Sequence, residues 1–172
     1  MRIQDGVKSI FFLGLFVAAL AQQPSLTVPP LDRPQYWSAA KLKAFSAALK
    51  AKEPMVVYGK TMMQAAEVLG GREDLYCFLE RREDEPHWPE VHANWDDIVI
   101  VQEGGANLLS GGIVEGGQDQ GKGETRFGTI VGGVSQKLSP GDVMFLPAGT
   151  PHQYTVEKGN HFYFLVVKMK KK

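Results

Sequence analysis

Between residues 88 and 101 the chain keeps a two-residue period. Trp88, Glu90, His92 and Asn94 share one face of an extended segment. On the next segment Asp97, Val99 and Val101 share one side while Ile98 and Ile100 take the other, the pattern of a strand covered on both faces. Residues 55–58, 75–80, 106–110, 113–114, 127–131, 134–138, 143–146 and 161–168 are further apolar runs bounded by turn residues, which predicts strands. Tyr154 and Val156 fall on the same side as His152. Residues 61–69 fit a helical turn or a strand, ahead of a stop at Gly70-Gly71.

One stretch has a helical period instead. Ser38 is a good N-cap, Trp37 can staple onto Leu42, and Leu42, Phe45 and Leu49 fall on one face. The residue before a proline is pushed away from helical geometry, so this helix ends near Ala51, ahead of Pro54. It is expected to pack on the outside of the β domain or at a contact between two copies.

The polar segments read as connections. Residues 22–36 carry four prolines and little periodicity, which predicts an extended linker. The charged run 81–86 predicts a solvated hairpin loop, and the glycine-rich residues 115–124 a mobile one. That glycine cluster lacks the ordered spacing and following helix of a phosphate cradle.

Residues 1–21 change the picture of compartment. Arg2 and Lys8 precede an apolar run at 10–21 that closes on Ala19-Leu20-Ala21, the small-x-small pattern accepted by a signal peptidase. Spanning a bilayer needs about 20 apolar residues, so the run predicts a cleaved signal rather than stable membrane insertion. The expected organisation is a signal peptide at 1–21, the linker at 22–36, the helix at 37–53 and one β domain at 54–169, exported to the periplasm or beyond.

A length of 172 residues with 44% hydrophobic content suits a single domain with a real core. Nineteen basic residues balance nineteen acidic ones, with no basic face interleaved with aromatics, so no nucleic-acid partner is implied. Lys168 and residues 170–172 are expected to form a solvated tail. With Cys77 as the one cysteine, no intrachain disulfide can form, and Cys77 reads as a small buried hydrophobe rather than a nucleophile.

Candidate chemistry sits in two motifs. In the first, Glu90, His92, Asp97 and Gly104 follow one another at spacings of two, five and seven. In the second, Gly141-Asp142 turns the chain into the apolar run 143–146, and Pro147, Gly149 and Pro151 reverse it before His152 opens the next strand. The second closely resembles one of the two motifs of the cupin family. The first resembles the other, in which two histidines one residue apart are followed by a carboxylate and a glycine. Without gaps, Glu90 takes the place of the first histidine, His92 the second, Asp97 the carboxylate and Gly104 the glycine. A rival register puts His92 first and Asn94 second, with a deletion before Asp97. The usual three-histidine set is reduced to His92 and His152 in either register.

The resemblance covers 90–152 and, through flanking strands, 54–169. It implies an all-β fold, an antiparallel jelly-roll β-barrel with the N-terminal helix outside it, assembled as a homodimer. It also implies a pocket with a divalent metal ion, iron, manganese, zinc or nickel, on Glu90, His92, Asp97 and His152, since imidazoles and carboxylates converging on rigid strands suit such ions. Trp88, Asn94, Phe145 and Tyr154 are candidates for the pocket wall. His87 and His161 have no motif support and read as surface residues. Structural readings stand beside these: a turn-capping role for His152, and local pairing for Glu90 and Asp97.

Because this fold hosts many unrelated reactions, the site and not the fold must name the function. One expectation is an enzyme acting on a small oxygenated organic molecule, of oxygenase or isomerase type. The alternative is a barrel that binds a small molecule or carbohydrate without turnover, with a degenerate metal site.

Overall fold

The computed structural model describes residues 28–172 apart from 53–54, 58–59, 63 and 85–86, and among the described residues there are fifteen strands and one helix. The expected signal at 1–21 and the start of the linker lie outside the described residues. The order is α1 (Ala39–Lys50), β1 (Met55–Val57), β2 (Lys60–Met62), β3 (Gln64–Arg72), β4 (Leu75–Glu83), β5 (Glu90–His92), β6 (Trp95–Gly104), β7 (Ala106–Ser110) and β8 (Ile113–Glu115). There follow β9 (Gln118–Asp119), β10 (Glu124–Arg126), β11 (Thr129–Val131), β12 (Val134–Leu138), β13 (Val143–Leu146), β14 (His152–Thr155) and β15 (His161–Lys170).

Every named ladder is antiparallel. One sheet runs β13-β6-β15-β4-β3 and the other β12-β7-β14-β5-β10-β9, with two small hairpins, β1-β2 and β8-β11, beside them. From β4 to β7 and again from β12 to β15 sequential strands alternate between the two large sheets, the connectivity of a jelly roll. Between the sheets lies a core of Phe78, Val99, Val101, Leu108, Leu138, Leu146, Tyr154, Val156, Phe162, Phe164 and Val166. The fold is an all-β antiparallel jelly roll with an N-terminal helix.

Alternation along β4 and β15 dictates a second apolar layer. Phe78 and Val166 face inward, so Cys77, Leu79, Tyr163, Leu165 and Val167 face outward, and there Leu42, Phe45 and Leu49 of α1, with Trp37 just before it, cover them. Ser38 caps the helix by accepting from Lys41 N. The Tyr163 hydroxyl donates to the Leu42 carbonyl across 2.7 Å and pins the helix to the sheet.

Several connections turn out to be structure. The ambiguous run 61–69 is strand, and β3 continues through Gly70-Gly71 with a register shift between Val68 and Gly70. Those glycines admit the linker: Gly71 N donates to the Pro29 carbonyl across 2.8 Å, and a Cβ on Gly70 would meet Leu31 Cδ2 at 2.7 Å. The charged run at 81–86 is in part β4, with Arg81 and Arg82 buried, because β15 pairs along the whole of that strand. The glycine-rich segment 115–124 carries β9 and the first residue of β10. Gly104, the last residue of the first motif, has φ +70°, and a Cβ there would fall 1.9 Å from the His161 carbonyl oxygen.

Candidate functional site

Two neighbouring strands of the six-stranded sheet bring the motifs together. On β5 and β14, His152 is the direct partner of Glu90, and β10 on the other side of β5 sets Arg126 opposite Glu90 and Glu124 opposite His92. Residues paired across a ladder project to the same face, so all five side chains point together. From the opposing sheet come Glu80 and Arg82 on β4, Asp97 on β6 and Lys168 on β15, and all of these except Glu124 are buried.

One donor atom each from Glu90, His92 and His152 lies within 4.8 Å of the others. Each histidine is oriented by its Nδ1. That of His92 lies 2.8 and 2.9 Å from the carboxylate oxygens of Glu124, and that of His152 lies 3.0 Å from the Thr150 carbonyl oxygen. The Thr150 carbonyl can only accept, so His152 Nδ1 carries its hydrogen, and Glu124, when ionised beside Arg126, sets the same tautomer at His92 and leaves Nε2 its lone pair. Burial holds both imidazoles below their usual pKa, helped at His92 by the charges of Lys168 and Arg126 and partly offset at His152 by Glu90 and Asp97. His92 Nε2 then faces Glu90 Oε2 and Asp97 Oδ2, each at 3.7 Å. Three acceptors thus face one another, Glu90 Oε2 with Arg126 and Asp97 Oδ2 with Lys168 as their present cations. The donor set fits a divalent transition metal.

The surrounding charges make this affordable to the fold. Glu90 Oε1 accepts from Arg82 Nη2 at 3.0 Å, and Arg126 Nη1 lies 3.4 Å from Oε2. Burial alone would raise the Glu90 pKa, but the two guanidiniums outweigh it and hold the carboxyl well below the usual range. Arg82 also pairs through Nε with Glu80 and stacks over Tyr154, its Cζ 5.0 Å from the ring centroid. Glu124 accepts from Arg126 Nη2 at 2.8 Å, and burial pushes its carboxyl up to about 7. Lys168 Nζ sits 2.6 and 2.5 Å from the two oxygens of Asp97.

The four residues expected as ligands therefore divide. Glu90, His92 and His152 form the group, while Asp97 adjoins His92 and is held by Lys168. Tyr154 is buried beside the site, its ring 5.9 Å from that of His152. Trp88 is half-buried and packs on Phe127 at 5.0 Å. Asn94 leaves the face it was expected to share, because β5 ends at His92 and the chain turns; it is exposed and donates to the Lys122 carbonyl. Phe145 is likewise no part of the pocket. Leu146 and Met144 turn inward from β13, which leaves Phe145 outward and 53% exposed.

Two expected surface groups are interior. His87 is 1% exposed, its backbone N–H donating to the Tyr154 carbonyl, because the segment before β5 runs on alongside β14, inside the sheet. Lys168 is 3% exposed, since β15 runs on to Lys170 and alternation after Phe164 and Val166 turns it inward. The sequence reading also passed over Glu80, Arg82, Glu124 and Arg126. For the first two the signal was the same alternation, Phe78, Glu80, Arg82; for the other pair, inside a glycine-rich stretch, there was none.

Residues 120–171 match the AraC-like ligand binding domain. No curated protein matches the sequence. Among solved structures, a protein of Bacillus halodurans shares 14% identity with a TM-score of 0.53, covering 85% of this chain and 88% of its own. A cupin 2 conserved barrel domain protein from Rhodopseudomonas palustris shares 17% identity over 63% of each chain, TM-score 0.45. A sugar phosphate isomerase from a cupin superfamily of Silicibacter pomeroyi shares 24%, covering 63% of this chain and 60% of its own, TM-score 0.43. By its architecture, then, this chain is an antiparallel jelly roll, and over residues 120–171 it is similar to the AraC-like ligand binding domain.

Proposed function

We propose that this chain is a small-molecule cupin that binds a divalent transition metal through Glu90, His92 and His152 and acts on a small oxygenated organic compound by isomerase- or oxygenase-like chemistry. The observation that carries the reading is the anchoring of both histidines. Glu124 and the Thr150 carbonyl hold the two Nδ1 atoms, His92 Nε2 lies 3.7 Å from Glu90 Oε2, and a ring nitrogen of His152 comes within 4.8 Å of both partners. When bound, such an ion supplies Lewis acidity toward a substrate oxygen.

The chain's own residues do the rest. Arg82 and Arg126 keep Glu90 ionised, Glu124 keeps the His92 ring in place, and the aromatic layer of Tyr154, Phe162 and Phe164 shields the deep end from water. A second reading, binding without turnover, is favoured by the match of residues 120–171 to a ligand-binding domain. We read the protein as exported after removal of residues 1–21, and as a homodimer.

Elemental analysis of untagged protein purified without chelators tests the metal, with near one ion per chain expected and none after His152→Ala. Metal-free wild type that melts like His152→Ala in added zinc or manganese would defeat the assignment. Incubation of loaded protein with a panel of small sugar acids and hydroxy acids, followed by NMR, separates turnover from binding. The N-terminal sequence of secreted material, expected to begin at Gln22, tests export, and light scattering tests the dimer.

A further inference from the structure

Asp97 stands where the first motif places a carboxylate ligand, yet it does not join the other three. Both of its oxygens are taken by one cation, with Lys168 Nζ at 2.6 Å from Oδ1 and 2.5 Å from Oδ2. The two residues are direct partners across β6 and β15, with side-chain exposures of 6% and 4%, so water screens neither charge. Asp97 Oδ2 remains 3.7 Å from His92 Nε2, on the near side of the site. Even so, Asp97 falls outside the group whose donor atoms lie within 4.8 Å of one another. The acid is present but occupied.

For Asp97 to turn an oxygen to an ion beside His92, it must give up a buried ammonium, and that ammonium would itself repel the ion at short range in a weakly screened interior. We propose that Lys168 is a positioning residue that withholds Asp97 from the metal and so limits the protein's donors to Glu90, His92 and His152. The proposal rests on the metal reading above and goes further, by assigning the donor count to a residue outside both motifs. The chemical consequence is direct. Two neutral imidazoles and one carboxylate leave a divalent ion with a net charge of about +1, whereas a second carboxylate would neutralise it and weaken its pull on a substrate oxygen.

The test is zinc and cobalt(II) binding to chelator-stripped full-length mature protein, measured by competition with a chromophoric chelator. Lys168→Met frees Asp97, and zinc affinity is expected to rise by about tenfold or more, the scale on which residues behind a ligand act. The double variant Lys168→Met/Asp97→Asn loses that gain. The visible spectrum of bound cobalt(II) changes in Lys168→Met and returns to the wild-type form in the double variant, a readout that a purely structural lysine would not move. If Lys168→Met does not fold without metal, Lys168→Gln, which removes the charge that grips Asp97, is measured in its place, and its gain is expected to be lost in Lys168→Gln/Asp97→Asn.

No gain in either single variant overturns the proposal, as does a gain that survives Asp97→Asn, since the lysine would then act through its charge alone. Loss of zinc binding on His152→Ala together with no gain from Lys168→Met sinks this proposal and leaves the metal site standing. Absence of binding in every variant sinks both.

Discussion

His92 and His152 lie with ring centroids 5.2 Å apart, and each gives its Nδ1 to a different acceptor, Glu124 for one and the Thr150 carbonyl for the other. Two imidazoles held this way present ring nitrogens within 4.8 Å of each other and of a Glu90 oxygen. A ligand that binds only the native state stabilises by an amount set by its concentration over its dissociation constant, about 2.7 kcal/mol at a hundredfold excess. Zinc or manganese at that excess should raise the melting temperature of the wild type by several degrees and that of His152→Ala not at all. Equal shifts in a calorimetric scan would mean that the ions act elsewhere.

The pairing of Arg82 with both Glu80 and Glu90 makes it the hinge of the buried charges. Removing one partner of a buried ion pair leaves the other charge without compensation, at a cost of about 3 to 5 kcal/mol. Arg82→Met strands Glu80 and leaves Glu90 to Arg126 alone, and should lose at least that much in urea unfolding at pH 7. A loss under about 1 kcal/mol would show that water reaches Glu80 and Glu90 in solution.

Which parts of this site the sequence declares follows from how far each signal reaches. His92 and His152 stand in motifs whose turns and glycines fix them locally, so their meeting follows once β5 and β14 are neighbours. Lys168 has no such frame: at the end of a chain closing on three more lysines, charge density reads as solvent, although alternation from Phe162 already points it inward. Arg82 is hidden the same way by the acidic run after it. Phe145 fails for the opposite reason. In an apolar run every position is a credible inside position, and only the packing of Leu146 and Met144 decides. The ion pair of Asp97 and Lys168 could not be read at all, since it depends on β15 lying beside β6.

Cys77 reports on the helix. It lies in the outer apolar layer under α1, packed with Leu49, and burial pushes its thiol pKa up. Labelling by a disulfide reagent should therefore need transient undocking of the helix. Leu49, 2% exposed, is the most deeply inserted helix residue, and truncating such a leucine costs about 2 to 5 kcal/mol. Leu49→Ala should speed labelling of Cys77 by at least tenfold under native conditions. Equal rates in the two proteins would place the thiol on a path to solvent that does not involve α1.

His87 supplies the acid sensitivity that is simplest to isolate. Its ring is buried, its Nε2 has no hydrogen-bond partner among the described residues, and burial together with the nearby charge of Arg82 lowers its pKa to about 3, with Glu90 opposing. The unfolded chain takes up a proton at this histidine as pH falls through the ordinary value of 6.5, while the native protein does not until about 3. Stability from this group is thus complete above pH 6.5 and is lost between there and pH 3, at about 1.4 kcal/mol per pH unit in the middle of the window. His92 and His152 lose stability in the same direction, so the total slope is shared and only a difference identifies His87. His87→Leu keeps an apolar side chain of similar bulk and removes the titration. Its unfolding free energy should fall less steeply than the wild type's between pH 6 and pH 4. Parallel acid limbs in the two proteins would show that His87 is protonated, and therefore solvated, in the native state.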